Sequence, residues 1–288
     1  MRYSISVPNF GEFAAPEVFA EVARRAEEAG WDAVLVWDHI VEQKELRRET
    51  ADPWILLTAA ALATNRIRLG TAITPVARRR PAKLAKEVTT LDRLTGGRMI
   101  LGAGLGAPIS DEYGSFGDTT DPRTLAERLD EGLHAVDLLW SGEPVTYRGK
   151  HITIDDVVFL PTPAQRPRVP IWVGGVWPNK APMRRAARWD GAIPTFAGME
   201  AARPPEADEV RDLVRFLHTC RTENGLANNP FDIVIGGQSP TDPAAAHDLV
   251  APLADLGPTW WDERVPWTDD LERADPLLRR IEQGPPRI

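Results

Sequence analysis

Asp38 and His39 end a short apolar run, Val34-Leu-Val-Trp-Asp-His39, and are the pair in this chain best suited to acid–base chemistry. An imidazole exchanges protons near neutral pH, and an adjacent carboxylate can orient it or cap the next segment. His134, His151, His218 and His247 fall in helical or hairpin patterns and read as structural. Three further apolar runs end in small residues: Ile67-Arg-Leu-Gly-Thr-Ala-Ile-Thr-Pro75, Met99-Ile-Leu-Gly-Ala-Gly-Leu-Gly106 and Ile171-Trp-Val-Gly-Gly175. Parallel α/β folds keep their chemistry at strand C-terminal ends. There is no His-x-His or Cys-x-x-Cys, and no lysine ends a predicted strand, so metal-centred hydrolysis and Schiff-base chemistry lack their usual groups.

Gly102-Ala-Gly-Leu-Gly-Ala107 satisfies G-x-G-x-x-A, the dinucleotide fingerprint, so an NAD-dependent Rossmann dehydrogenase is one reading. Its context differs: the motif lies in the fourth unit, and Pro108 follows where a helix should open. Glycines that let a flat ligand approach the strand, or that form a tight turn, are the alternatives. Gly174-Gly175, then Val176-Trp-Pro-Asn179, offers backbone N–H groups near a helix start, with Asn179 as its cap. Gly236-Gly237 repeats the small-residue theme. Trp172 reads as core, and Trp177 as core or pocket wall. Arg78-Arg79-Arg80 reads as a solvated loop rather than an anion clamp.

The elements that must position these residues alternate regularly. Strands are predicted at 3–8, 33–37, 67–74, 98–104, 170–174, 192–195, 231–236 and 259–262. Helices are predicted at 16–29, 53–64, 81–94, 122–140, 182–189, 206–223, 243–256 and 269–283. Pro53 and Pro81 stand at helix starts and Gly30 closes the first helix. Eight strand–helix units with right-handed crossovers predict a single α/β domain over 1–288, a TIM (β/α)8 barrel. An excursion at 107–121 follows strand four, and a hairpin turning at Gly149-Lys150 precedes strand five. A net charge of −8 on 288 residues argues against a nucleic-acid partner. Cys220 is the only cysteine, and no signal core or apolar run of membrane-spanning length occurs, which predicts a cytoplasmic protein without a membrane partner.

In order and spacing, five segments together resemble the bacterial luciferase-like monooxygenase superfamily: 30–39, 69–75, 82–98, 101–106 and 170–175. The resemblance spans essentially the whole chain and implies a TIM-barrel oxidoreductase using FMN or the deazaflavin coenzyme F420 on a small organic substrate. NADPH or a partner reductase would be the electron source, and a homodimer is compatible with it. It also implies a non-prolyl cis bond at Thr71-Ala72 beneath the ring, and a cofactor tail held by Gly104, Leu105, Gly106, Gly174, Gly175 and Val176. Asp38 and His39 would face the reactive ring edge, with His39 as the acid or base. Leu105 stands where several FMN-using members carry a phosphate-binding arginine, which points away from FMN. Ala107 replaces the glutamate of the sugar-phosphate dehydrogenase branch, which points away from a sugar phosphate. Monooxygenation with FMN and hydride transfer with F420 both remain open, and a non-catalytic flavin-binding barrel is the reading from another class.

Overall fold

The computed structural model describes residues 1–198, 202–264 and 271–288. β1 (Arg2–Val7), α1 (Pro16–Ala29), β2 (Ala33–Val36), α2 (Pro53–Ala63) and β3 (Arg68–Thr71) open the chain, followed by β4 (Thr74–Pro75), α3 (Pro81–Leu94) and β5 (Met99–Gly104). The short α4 (Ile109–Glu112) and the long α5 (Pro122–Trp140) precede an antiparallel hairpin of β6 (Pro144–Arg148) and β7 (Thr153–Val158). The chain finishes with β8 (Ile171–Trp177), α6 (Lys180–Ala186), β9 (Gly191–Phe196), α7 (Ala207–Glu223), β10 (Asp232–Gly237), α8 (Pro243–Ala254), β11 (Trp260–Glu263) and α9 (Ala274–Glu282).

All pairings in the main sheet are parallel, in the order β3-β2-β1-β11-β10-β9-β8-β5-β4, and a β3–β5 pairing closes it into a barrel of eight staves. β3 and β4 form one interrupted stave. The predicted TIM barrel is therefore the observed fold. Local chemistry explains the helix starts: Asp52, Asp121 and Asp242 accept N–H bonds at the N-caps of α2, α5 and α8, each just before a proline at the first helical position. Gly30 ends α1 at φ 90°, a conformation that glycine adopts without strain. Trp31, Trp172, Trp260 and Trp261 are among the largest fully buried side chains, and Trp172 packs edge-to-face on Trp260 with centroids 5.1 Å apart, so Trp172 is core.

Several element boundaries differ from expectation, most of them by one to three residues. The fifth stave does not end at Gly174 but pairs with β9 as far as Trp177, so Gly174, Gly175 and Val176 are strand residues. The helix after it begins at Lys180 rather than Pro182, and Asn179 sits at its N-cap without a side-chain bond. The described part of the last helix begins at Ala274, and residues 269 and 270 of the expected helix lie outside the described residues.

The third stave carries the most consequential irregularity. Gly70 pairs with Ile100 and Thr74 with Ala103, so four steps along the third stave match three along β5. That is a bulge. The non-prolyl cis bond lies within it, between Ala72 and Ile73, and not at Thr71-Ala72 as expected. Thr71 still belongs to β3, paired with Val36, and its hydroxyl donates to the Gly102 carbonyl at 2.8 Å, so the backbone departs only after it. A Cβ on Gly102 would stand 1.9 Å from the Thr71 carbonyl oxygen. Because that neighbour is backbone, Gly102→Ala is expected to destabilise the protein by about 1–3 kcal/mol. A denaturant midpoint unchanged in this variant would show that the bulge yields freely.

Candidate active site

The strand ends enclose a cavity of about 1160 Å³. Pockets for one drug-sized ligand run to roughly 300–1,000 Å³, so this volume suits a cofactor together with a small substrate. Of the residues expected at the site, Asp38, His39, Ala72, Leu105, Gly106, Gly174, Gly175 and Val176 line it, and Thr71 and Gly104 do not. Thr71 lies fully buried behind the bulge. Gly104 makes room for the Ile73 side chain, since a Cβ there would meet Ile73 Cδ1 at 1.9 Å, and a Cβ on Gly174 would meet Ile73 Cγ2 at 3.0 Å. These glycines accommodate the bulge, and Ala72 and Ile73 face the cavity there. Of the strand-four glycines, Gly106 lines the cavity, whereas Gly102 and Gly104 make room for Thr71 and Ile73 of the bulge.

Asp38 and His39 are adjacent, yet they bind different partners. The Asp38 carboxylate, 1% exposed, accepts from Arg78 Nη2 at 2.8 Å and from Arg79 Nη2 at 2.8 and 2.9 Å. Its carbonyl also takes Arg78, at 2.6 Å. It does not orient His39, and the expected solvated run Arg78-Arg79-Arg80 is solvated only at Arg80. A carboxylate buried at the strand end demanded cations, and the sequence supplied them forty residues later.

His39 is 15% exposed, and its Nδ1 lies 3.0 Å from Glu112 Oε1. Asn9 clamps its backbone from both sides, accepting from His39 N at 3.2 Å and donating to its carbonyl at 2.8 Å. The rings of Phe10 and Trp37 pack edge-on to the imidazole at 6.1 and 6.0 Å. Glu112 comes from α4, inside the predicted excursion. Its neighbour Tyr113 donates to the Leu105 carbonyl at 2.6 Å, and burial pushes this phenol upward, which keeps it a neutral donor.

Leu105, Gly106, Gly174, Gly175 and Val176 line the side at the ends of the neighbouring strands β5 and β8, together with Asn179 and the exposed Lys180. This side combines backbone, apolar surface and one ammonium, a donor set that fits the anionic tail of a flavin-type cofactor beside an apolar ring wall. Ser6, Asp262 and Arg264 also line the cavity: Asp262 accepts from Ser4 Oγ at 2.8 Å, from Ser6 Oγ at 2.9 Å and from Arg264 Nε at 3.1 Å. Gly236 and Gly237 do not line it, being packed against Asp262 and Pro204. Sequence reasoning missed Glu112, Arg78, Arg79 and Asp262. The only available signal was the Arg78-Arg79 pair.

A family model described as luciferase-like monooxygenase matches residues 2–258, and the chain belongs to that family. It is 34% identical over 181 residues to an F420-dependent glucose-6-phosphate dehydrogenase of Kineococcus radiotolerans, covering 62% of this chain and 51% of that protein. The chain thus spans about half the length of the curated relatives it matches. A monooxygenase from Streptomyces bottropensis superposes with a TM-score of 0.78 at 20% identity, covering 99% and 98% of the two chains. The oxygenating constituent of 3,6-diketocamphane monooxygenase from Pseudomonas putida, solved with FMN, gives 0.76 at 16% identity, covering 98% and 96%. These two structures share the fold.

Removing the Asp38 carboxylate would take the nearest counter-charge from two arginines, with side chains 5% and 15% exposed, leaving Arg78 with Glu112 at 3.3 Å and Arg79 with Glu87 at 4.0 Å. Asp38→Ala should therefore cost about 3–5 kcal/mol of stability, the range for breaking a buried ion pair. Chemical denaturation measures this, and a loss below about 1 kcal/mol would mean that the arginines find other partners.

Proposed function

We propose that this luciferase-like family member is a deazaflavin-dependent dehydrogenase, in which His39 exchanges the proton that accompanies hydride transfer with a small organic substrate. The observation that carries this reading is a fixed imidazole on the wall of a cavity that also presents the apolar Ala72–Ile73 surface. A protonatable group beside such a surface serves hydride chemistry, in which one substrate proton must be taken up or released. The F420-dependent names of the curated relatives favour F420 over FMN, as does Leu105 at the position where several FMN-using members carry arginine.

When bound, the deazaflavin would supply two-electron hydride chemistry. The chain's own residues do the rest. Ala72 and Ile73 support the ring, and Leu105, Gly106, Gly174, Gly175 and Val176 hold the tail side, with Lys180 available to its negative charge. His39 holds or moves the substrate proton at Nε2. Ala107 on the cavity wall, in place of the glutamate of the sugar-phosphate branch, favours a substrate other than a sugar phosphate.

Titrating the protein separately with F420, FMN and NADPH should show tight binding of F420. Preference for FMN would redirect the reading to monooxygenation, and NADPH binding alone would overturn it. With F420 bound, His39→Ala should lower single-turnover hydride transfer by about 10²–10⁴-fold with F420 affinity unchanged. An unchanged rate would remove His39 from the chemistry.

A further inference from the structure

We propose that Glu112 is a positioning residue that fixes the tautomer of His39, holding the proton on Nδ1 and leaving the Nε2 lone pair to face the cavity. The catalytic consequence rests on the dehydrogenase reading; the tautomer does not.

Glu112 has almost no freedom of its own. Its side chain is 1% exposed, and its two oxygens receive Ile40 N at 3.2 and 3.1 Å and Val41 N at 3.4 Å, with Arg78 Nη2 at 3.3 Å. Every other group around this carboxylate is a donor. An ionised carboxylate accepts and cannot donate, so the imidazole nitrogen 3.0 Å away must carry a hydrogen. In a neutral imidazole the other nitrogen is then the acceptor. His39 lines the cavity, and among the described residues its Nε2 has no hydrogen-bond partner.

His39 is held at its backbone and packed at its ring. Asn9 holds the His39 backbone on both sides, and Phe10 and Trp37 border the ring plane. The other charged groups nearby are engaged elsewhere: Asp38 with Arg78 and Arg79, Glu42 with Arg48, and Asp111 with the Lys44 amide at 3.2 Å. Glu112 is thus the single described side chain that hydrogen-bonds the imidazole. In the neutral ring, an Nε2 acceptor suits withdrawal of a proton from a substrate hydroxyl. Once protonated, the same ring remains paired with the Glu112 carboxylate.

Long-range ¹H–¹⁵N correlation spectra of histidine-labelled protein, recorded without cofactor, test this directly, with the His39 signals assigned by their loss in His39→Gln. We expect a protonated Nδ1 and a pyridine-like Nε2 in the neutral ring. Glu112→Gln offers both a donor and an acceptor, so it should mix the two tautomers. With F420 bound, it should lower kcat about ten- to hundredfold while KM and F420 affinity stay within about twofold. A protonated Nε2 in the unaltered protein would overturn the proposal, as would a Glu112→Gln variant with the wild-type spectrum and turnover. If the variant fails to fold, the spectrum of the unaltered protein decides the matter alone. A protein that shows the Nδ1–H tautomer yet binds no F420 would support the positioning role and overturn the dehydrogenase reading.

Discussion

The third stave of the barrel runs too close to β5 for side chains to fit between them, and the site is built on that constraint. A Cβ on Gly70 would lie 2.4 Å from the Ile100 carbonyl oxygen, and one on Gly102 would lie 1.9 Å from that of Thr71. The two backbones can meet there only because both residues are glycine. The bulge that follows is pinned by hydroxyls, with Thr74 donating to Thr71 at 3.1 Å and Thr71 donating to the Gly102 carbonyl. Ile73 then lies across Gly104 and Gly174, and with Ala72 it gives the cavity an apolar wall. Backbone crowding below thus becomes ligand surface above.

Charge is handled just as tightly. Asp38 and Glu112 are both buried, and Arg78 reaches both. Such clusters contribute little net stability, because desolvation offsets their attraction, but breaking one is costly. Their effect here is to define loop positions. Three consecutive residues of the excursion after β5 grip two neighbouring loops: Asp111 takes the Lys44 amide, Glu112 takes the Ile40 and Val41 amides, and Tyr113 holds the Leu105 carbonyl. The loop that carries His39 and the turn that carries Leu105 are therefore fixed by one short segment.

The periodic part of this architecture was legible in the sequence. Proline at a helix start and the glycine that closes the first helix are local signals, and the expected limits of α1, α3 and α5 are the observed ones. His39 was legible because a polar residue after an apolar strand stands out. Its partner was not: Glu112 lies 73 positions away in a segment without periodicity, and only tertiary contact brings the two together. Arg78-Arg79 misled for a related reason, since a basic run looks solvated until a buried carboxylate is known to need it. The cis bond lies one residue beyond the position that the resemblance implied.

Most polar groups along the cavity wall are already committed to protein partners. Asp38 is saturated by two arginines, and Asp262 by two serines and Arg264. Groups held this firmly keep their position as a reaction proceeds, and they cost no reorganisation when charge moves nearby. The imidazole of His39 differs, being anchored at one nitrogen and exposed to the cavity. On the proposed dehydrogenase reading, the rigidity around it concentrates proton exchange on one atom, and the fixed ion pairs contribute by taking no part in it.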